Sequence, residues 1–206
     1  MCETPLRRIG QVKLRGFTLI ELIIVMAIIL ILAGLILGTS GYVNRKGATS
    51  RAEAEIKALE TACESYKADN GIYPRDSATA SSTDALDSSS MYDPVATDAA
   101  KYQASSLYLY EQLSGATATP FRQATGKQYM IFKPQLLSPK DQTKPVEYLQ
   151  DPFGNSYGYS TAYLKWQEDG SVQPQKGYNP TFDLWSTAGT TTSSDSAAKA
   201  KWVKNW

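Results

Sequence analysis

Histidine is absent from the 206 residues, which removes the commonest general base and the commonest metal ligand. Cysteine occurs only at Cys2 and Cys63. Cys2 lies in a segment expected to be removed, so Cys63 has no intramolecular partner and reads as a small buried helix residue. Charge is nearly balanced at a net +1. Arg7, Arg8, Lys13 and Arg15 outweigh Glu3 in the first sixteen residues, leaving the remainder slightly acidic. Bulk electrostatics therefore gives no reason to expect nucleic acid as a partner. No phosphate-cradling glycine loop is present, and no nucleophile motif has a plausible base. A pair of carboxylates at glycosidase separation is not visible in a sequence. An enzyme is not the expectation.

What is present is a run of twenty-one residues, 17–37, apolar but for Thr18, Gly34 and one carboxylate, Glu21. Crossing a bilayer core takes about 20 residues at about 1.5 Å each. A carboxylate near the start of such a run costs about 3 kcal/mol on insertion scales, so a partner for Glu21 is expected. If the chain is cut after Gly16, the new α-amino group of Phe17 lies four residues from Glu21. Three other readings compete. An ordinary secretory signal would be cut near Ala33, but its apolar region is typically shorter and carries no acid. A lipoprotein signal fails because Leu35, not cysteine, follows Leu32-Ala33-Gly34. A plain anchor would make Glu21 an interfacial accident. All of them agree on orientation, because the basic residues precede the span and keep the N-terminus cytoplasmic.

Lys13-Leu14-Arg15-Gly16-Phe17-Thr18-Leu19-Ile20-Glu21 resembles the processing site of type IV pilins and type II secretion pseudopilins. The resemblance implies that a prepilin peptidase cuts between Gly16 and Phe17 and methylates Phe17. It also implies that Glu21 pairs with the N-terminus of a neighbouring copy during filament assembly, and that Lys13 and Arg15 are the basic leader residues. The implied organisation is a leader at 1–16, a transmembrane and filament-core helix at 17–38, and an amphipathic extension at 39–70. A globular head follows at 71–206.

Downstream, Ala52, Ile56, Leu59, Cys63 and Tyr66 recur at helical spacing and form one apolar stripe. Asp69-Asn70-Gly71 with Pro74 supplies the stop. One helix from residue 17 to 69 is therefore expected. Gly34, Gly38, Gly41 and Gly47 each cost about 1 kcal/mol relative to alanine in a helix. They mark either a segment that softens in a filament or small-residue packing in the membrane. Residues 76–100 form a Ser/Ala/Asp-rich insertion, expected to be exposed because it can bury little apolar surface. Its aspartates have no metal-loop spacing and read as solvated. A short helix is expected over 101–114, capped by Gly115. Strands are expected at 129–132, 148–149, 156–166 and 181–186, with a turn at Glu168-Asp169-Gly170-Ser171. The fold class is α+β: a long N-terminal helix whose lower half spans the membrane and whose upper half packs on a small antiparallel sheet, the pilin fold.

Asp151-Pro152-Phe153-Gly154-Asn155, then Phe182-Asp183-Leu184-Trp185-Ser186 and a closing Asn205-Trp206, are similar to the major pseudopilins of type II secretion. In that family the last loop commonly holds calcium. Here Asp183 and Asp195 are the candidate Ca²⁺ ligands, a sparse set for a hard cation that wants six to eight oxygens. The competing reading is a Ser/Thr loop held by hydrogen bonds and by Trp202 or Trp206. Tyr157, Tyr159, Tyr163, Trp166, Tyr178 and Trp185 read as the core and rim of the sheet rather than as a binding face. The expected function is a structural subunit of a pseudopilus, with its head in the periplasm, inserted in the inner membrane before assembly. Expected partners are membrane lipid, the prepilin peptidase, copies of itself, minor pseudopilins and the inner-membrane assembly platform. The alternatives are a type IV pilin or minor pilin serving adhesion, motility or DNA uptake, and a membrane-tethered binding protein that never assembles.

Overall fold

The computed structural model describes residues 16–78, 82–116, 122–191 and 196–206. The chain divides into two units, Met1–Asn44 and Arg45–Trp206. Helix α1, Leu19–Asn70, contributes to both. It runs through Gly34, Gly38, Gly41 and Gly47 without a break. In the first unit its large apolar residues from Leu19 to Ile36 are all exposed, between 49 % at Val25 and 77 % at Leu19. Nothing in this unit buries them.

In the second unit the expected stripe is the core. Ala52, Ile56, Leu59 and Cys63 are buried, Ala62 joins them, and Tyr66 packs at the edge. They meet Leu109, Tyr110 and Leu113 of α2 (Ala99–Ser114) together with Leu149, Tyr157, Tyr159 and Leu184 from the sheets. Gly71 stops α1 with φ of 77°, its N–H donating to the Lys67 carbonyl at 2.8 Å. Helix α2 ends at Gly115 with φ of 68°. A side chain there would also collide with the Lys127 carbonyl, 2.7 Å from the β-carbon position.

Two small antiparallel sheets follow, which establishes the α+β class. One pairs β1 (Leu137–Ser138) with β2 (Tyr148–Leu149). The other has the order β3-β4-β5, from Gly158–Ser160, Asp183–Ser186 and Val203–Lys204. Helix α3 (Ala162–Glu168) joins β3 to β4, and the short α4 (Ser196–Lys199) precedes β5.

Three expectations are corrected. Residues 129–132 form no strand, although their side chains suit one. The N–H groups of Tyr129 and Met130 instead donate to the Leu113 carbonyl at 2.9 and 3.1 Å. The last carbonyls of a helix lack intrahelical donors and compete well for any passing N–H. The strand expected at 156–166 shrinks to β3, because its partner β4 begins at Asp183, opposite Ser160. Past that point no ladder is available, and the chain turns into α3. The third correction concerns the insertion. Ser82, Thr83, Asp84, Leu86, Asp87 and Ser88 are buried against the three-stranded sheet. Thr161 donates its N–H to the Thr83 carbonyl at 2.9 Å, and the Ser160 hydroxyl donates to the Leu86 carbonyl. Leu86 joins Tyr102, Trp185 and Trp202 in a second, smaller core. Polar composition does not force exposure when each polar group finds a partner.

Gly158 sits at the closest approach in the sheet. A β-carbon there would fall 2.3 Å from the buried Trp185 ring. Gly158→Ala is therefore expected to cost about 3 kcal/mol through overpacking. Thermal melts of the full chain check this, and an unchanged melting temperature contradicts it.

Candidate processing and assembly site

Gly16 and Phe17 precede α1 in non-helical backbone, and Phe17 is 84 % exposed. An exposed peptide bond outside the helix is what a peptidase requires. Lys13 and Arg15 lie outside the described residues. Helix α1 begins at Leu19, which makes Thr18 its N-cap and Glu21 the third residue inside. The two side chains close a reciprocal box. The Glu21 N–H donates to Thr18 Oγ1 at 3.3 Å, and Glu21 Oε2 accepts the Thr18 N–H at 2.8 Å. The Thr18 hydroxyl also donates to Oε2, at 2.7 Å. This capping box satisfies donors at the helix start that have no intrahelical acceptor. The helix dipole favours a negative charge at the same end.

The role of Thr18 escapes a reading that looks for the partner of Glu21 only on a neighbouring copy. The signal was nonetheless present: Thr18-Leu19-Ile20-Glu21 has the spacing of a capping box ahead of an apolar run. The consequence is chemical. Glu21 is already partly satisfied within one chain, which lowers the cost of placing it in an apolar setting. The box takes Oε2; among the described residues, Oε1 has no hydrogen-bond partner.

Of the two calcium candidates, only Asp183 lies among the described residues; Asp195 lies outside them. Asp183 is buried, and both its carboxylate oxygens are engaged within the chain. Oδ2 accepts the Ser88 hydroxyl at 2.5 Å and the Tyr178 N–H at 2.9 Å, while Oδ1 accepts the Asn179 N–H at 2.8 Å. Among the described residues no group of three or more acidic or cysteine side chains is placed to hold a metal. Asp183 by itself, buried and engaged by three donors, is not free to serve a hard cation. At the described ends of the loop, Trp202 stacks on Trp185 with centroids 6.1 Å apart and donates to Thr190 Oγ1 at 3.1 Å.

The remaining buried acids are structural as well. Asp151 accepts the N–H groups of Phe153 and Asn155 at 2.9 and 2.8 Å and the Ser186 hydroxyl at 2.5 Å, which pins the 151–155 turn to β4. Of that turn, Gly154 alone takes the left-handed conformation, with φ of 94°. Asp84 receives Arg75, whose guanidinium also reaches Glu168 at 2.6 Å. Burial raises the carboxyls of Asp151 and Asp183 above the usual range despite these donors. Burial also favours the neutral form of Asp87, but hydrogen bonds from Ser89, Gly177 and Ser90 outweigh it and hold that group below its ordinary value. The Cys63 thiol is fully buried and pushed far up by desolvation, so it is inert.

Comparison with known proteins bears on the N-terminal site. The family described as the prokaryotic N-terminal methylation motif matches residues 13–37. The chain is 42 % identical over 62 residues to the type II secretion system core protein G of Escherichia coli (strain K12), which covers 30 % of this chain and 43 % of that protein. It is 38 % identical over 60 residues to the protein of the same name from Pectobacterium carotovorum subsp. carotovorum, covering 29 % of this chain and 38 % of that one. The chain thus spans less than half the length of these curated relatives. No solved structure matches it.

Two outcomes follow from this geometry. Thr18→Val keeps the side-chain shape and deletes the hydroxyl, which costs about 1 kcal/mol at the helix start and speeds exchange at the Glu21 amide about fivefold. Hydrogen exchange of the full chain in detergent micelles reads this; unchanged exchange would mean the box does not hold the helix end. The second concerns pH. A carboxyl raised in the folded state binds its proton more tightly than in the unfolded chain. Between the ordinary carboxylate range and the raised value, stability therefore falls as pH rises. Asp183→Asn is expected to flatten that slope in melts from about pH 4 to about pH 7.

Proposed function

We propose that this chain is a type II secretion pseudopilin, a non-enzymatic subunit cut between Gly16 and Phe17 and drawn from the inner membrane into a filament. The reading is supported by the methylation motif at 13–37 and by the similarity to core protein G. The observation that carries it is Glu21. It is the one carboxylate in the apolar run, it lies four residues from Phe17, and it has one oxygen in the capping box and the other without a partner among the described residues.

Cleavage turns the Phe17 nitrogen into an ammonium, kept basic after methylation. A neighbouring copy in the bilayer presents Glu21 at the matching depth. Oε1 accepts that ammonium while Oε2 stays with Thr18, so pairing does not require the helix end to open. In low-dielectric surroundings a charge pair of this kind is far stronger than in water. It sets the axial register between adjacent helices, and the exposed apolar flanks of α1 then bury against one another. The partners in this reading are the prepilin peptidase, copies of the chain, minor pseudopilins and the inner-membrane assembly platform. The remainder of the chain, on the periplasmic side, forms the outer part of the filament. Its growth pushes cargo outward.

Mass spectrometry of the purified native protein tests the first step, with a chain beginning at a methylated Phe17 expected. Residues 1–16 still attached, or a start near Ala33, would overturn the reading. Glu21→Ala is expected to leave cleavage intact and to lower the yield of sheared filaments about tenfold or more, because the ammonium loses its partner.

A further inference from the structure

Charge is unevenly spread along the second unit. Residues 76–100 hold Asp76, Asp84, Asp87, Asp93 and Asp98 with no lysine or arginine. Residues 122–144 hold Arg122, Lys127, Lys133, Lys140 and Lys144 against Asp141 alone. The acidic stretch is built on the three-stranded sheet and the start of α2. The basic stretch leaves the end of α2 and runs to β1.

Within the acidic stretch, residues 93–98 form a tight turn. Asp93 Oδ1 accepts the N–H groups of Val95 and Ala96 at 3.0 and 2.9 Å, and its carbonyl accepts the Asp98 N–H at 3.1 Å. Asp98 in turn accepts the N–H groups of Tyr92 and Asp93. Val95 is 60 % exposed on this fixed turn, an apolar knob between two carboxylates. Within the basic stretch, Ile131 is 82 % exposed on backbone that joins neither helix nor strand. It lines a groove with Met130, Lys133 and, from α1, Arg51, Ala54 and Ala58. Glu55 lines it too, but is engaged by Arg51 at 2.7 Å and by the Tyr157 hydroxyl at 2.7 Å. Lys133 makes no ion pair among the described residues. Ala54 and Ala58 carry little side-chain bulk and leave room for a small side chain.

We propose that Val95 of one copy seats in this groove on a second copy, its flanking Asp93 and Asp98 facing the Lys133 cation. The two surfaces match in kind: a small apolar knob flanked by anions, and a groove where Arg51 and Glu55 pair with each other and Lys133 leaves a net positive charge. Within one copy the two patches are built on different elements. The segment just before the knob is anchored through Met91 and Tyr92 to Tyr102 and Trp185, whereas the groove is formed by α1 and the stretch after α2. A contact between two different patches is heterologous and propagates from copy to copy instead of closing as a pair. This inference rests on the self-assembly reading above and names one surface through which it acts.

The test uses two full-length chains in one cell that assembles the filament, one bearing Val95→Cys and the other Ile131→Cys, followed by mild oxidation. Both positions are exposed, and buried Cys63 does not compete. A cross-linked dimer is expected from the mixed pair and from neither variant alone, with a ladder when one chain carries both. Adding Lys133→Glu is expected to lower the cross-link yield about fivefold at low salt and less at high salt. Normal filaments without the mixed dimer, or a link from Ile131→Cys only to a secreted protein, would overturn this contact and leave the filament reading intact. Failure of the unsubstituted chain to form filaments would overturn both.

Discussion

Glu21 is the constraint from which the N-terminal unit takes its meaning. A carboxylate in a helix with no apolar core of its own needs both a local acceptor role and an external cation. The local role is the capping box with Thr18, where Oε2 accepts an N–H at 2.8 Å and a hydroxyl at 2.7 Å. The external one is supplied, in the proposed function, by the Phe17 ammonium of the next copy. The large apolar residues from Leu19 to Ile36, all exposed in the single chain, require lipid or other helices for the same reason. In that proposal, charge sets the register and apolar area supplies the bulk of the adhesion.

The second unit solves a different problem with the same helix. Its stripe from Ala52 to Cys63 is buried under tyrosines and leucines from α2 and the sheets. The sheets are minimal, with strands of two to four residues. So few ladder bonds make side chains carry much of the order. Buried carboxylates act as multi-point acceptors: Asp183 ties 88 to 178–179, Asp151 ties its own turn to Ser186, and Asp84 joins Arg75 to Thr161. Such networks stabilise only when fully satisfied, which is what is observed for these three.

That economy explains why the insertion behaves as it does. Serine, threonine and aspartate are poor core formers by apolar area, yet 82–88 lies buried because the sheet face beneath it offers matching donors and acceptors. It also brings Leu86 to a cluster of aromatic rings, so a segment poor in apolar residues still supplies a core side chain. Its outer turn is left to present Val95 and two carboxylates.

The long helix, its two different faces, the helix stop at Gly71, the second helix with its Gly115 cap and the N-terminal methylation motif were all readable from local pattern. Periodicity, caps and an acid in an apolar run are properties of neighbours in sequence, and local physics suffices for them. The strand-like residues 129–132 and the stretch 161–166 were misread because a strand exists only where a partner does. Here α2 offered its terminal carbonyls to the first, and β4 began too late for the second. The burial of 82–88 and the bond from Ser88 to Asp183 were likewise decided by contacts between segments about 75 to 95 residues apart. The sequence by itself determined which residues seek apolar cover and where helices start and stop. Only the tertiary structure decided which polar groups find each other, because a hydrogen bond depends on position in space and not on composition.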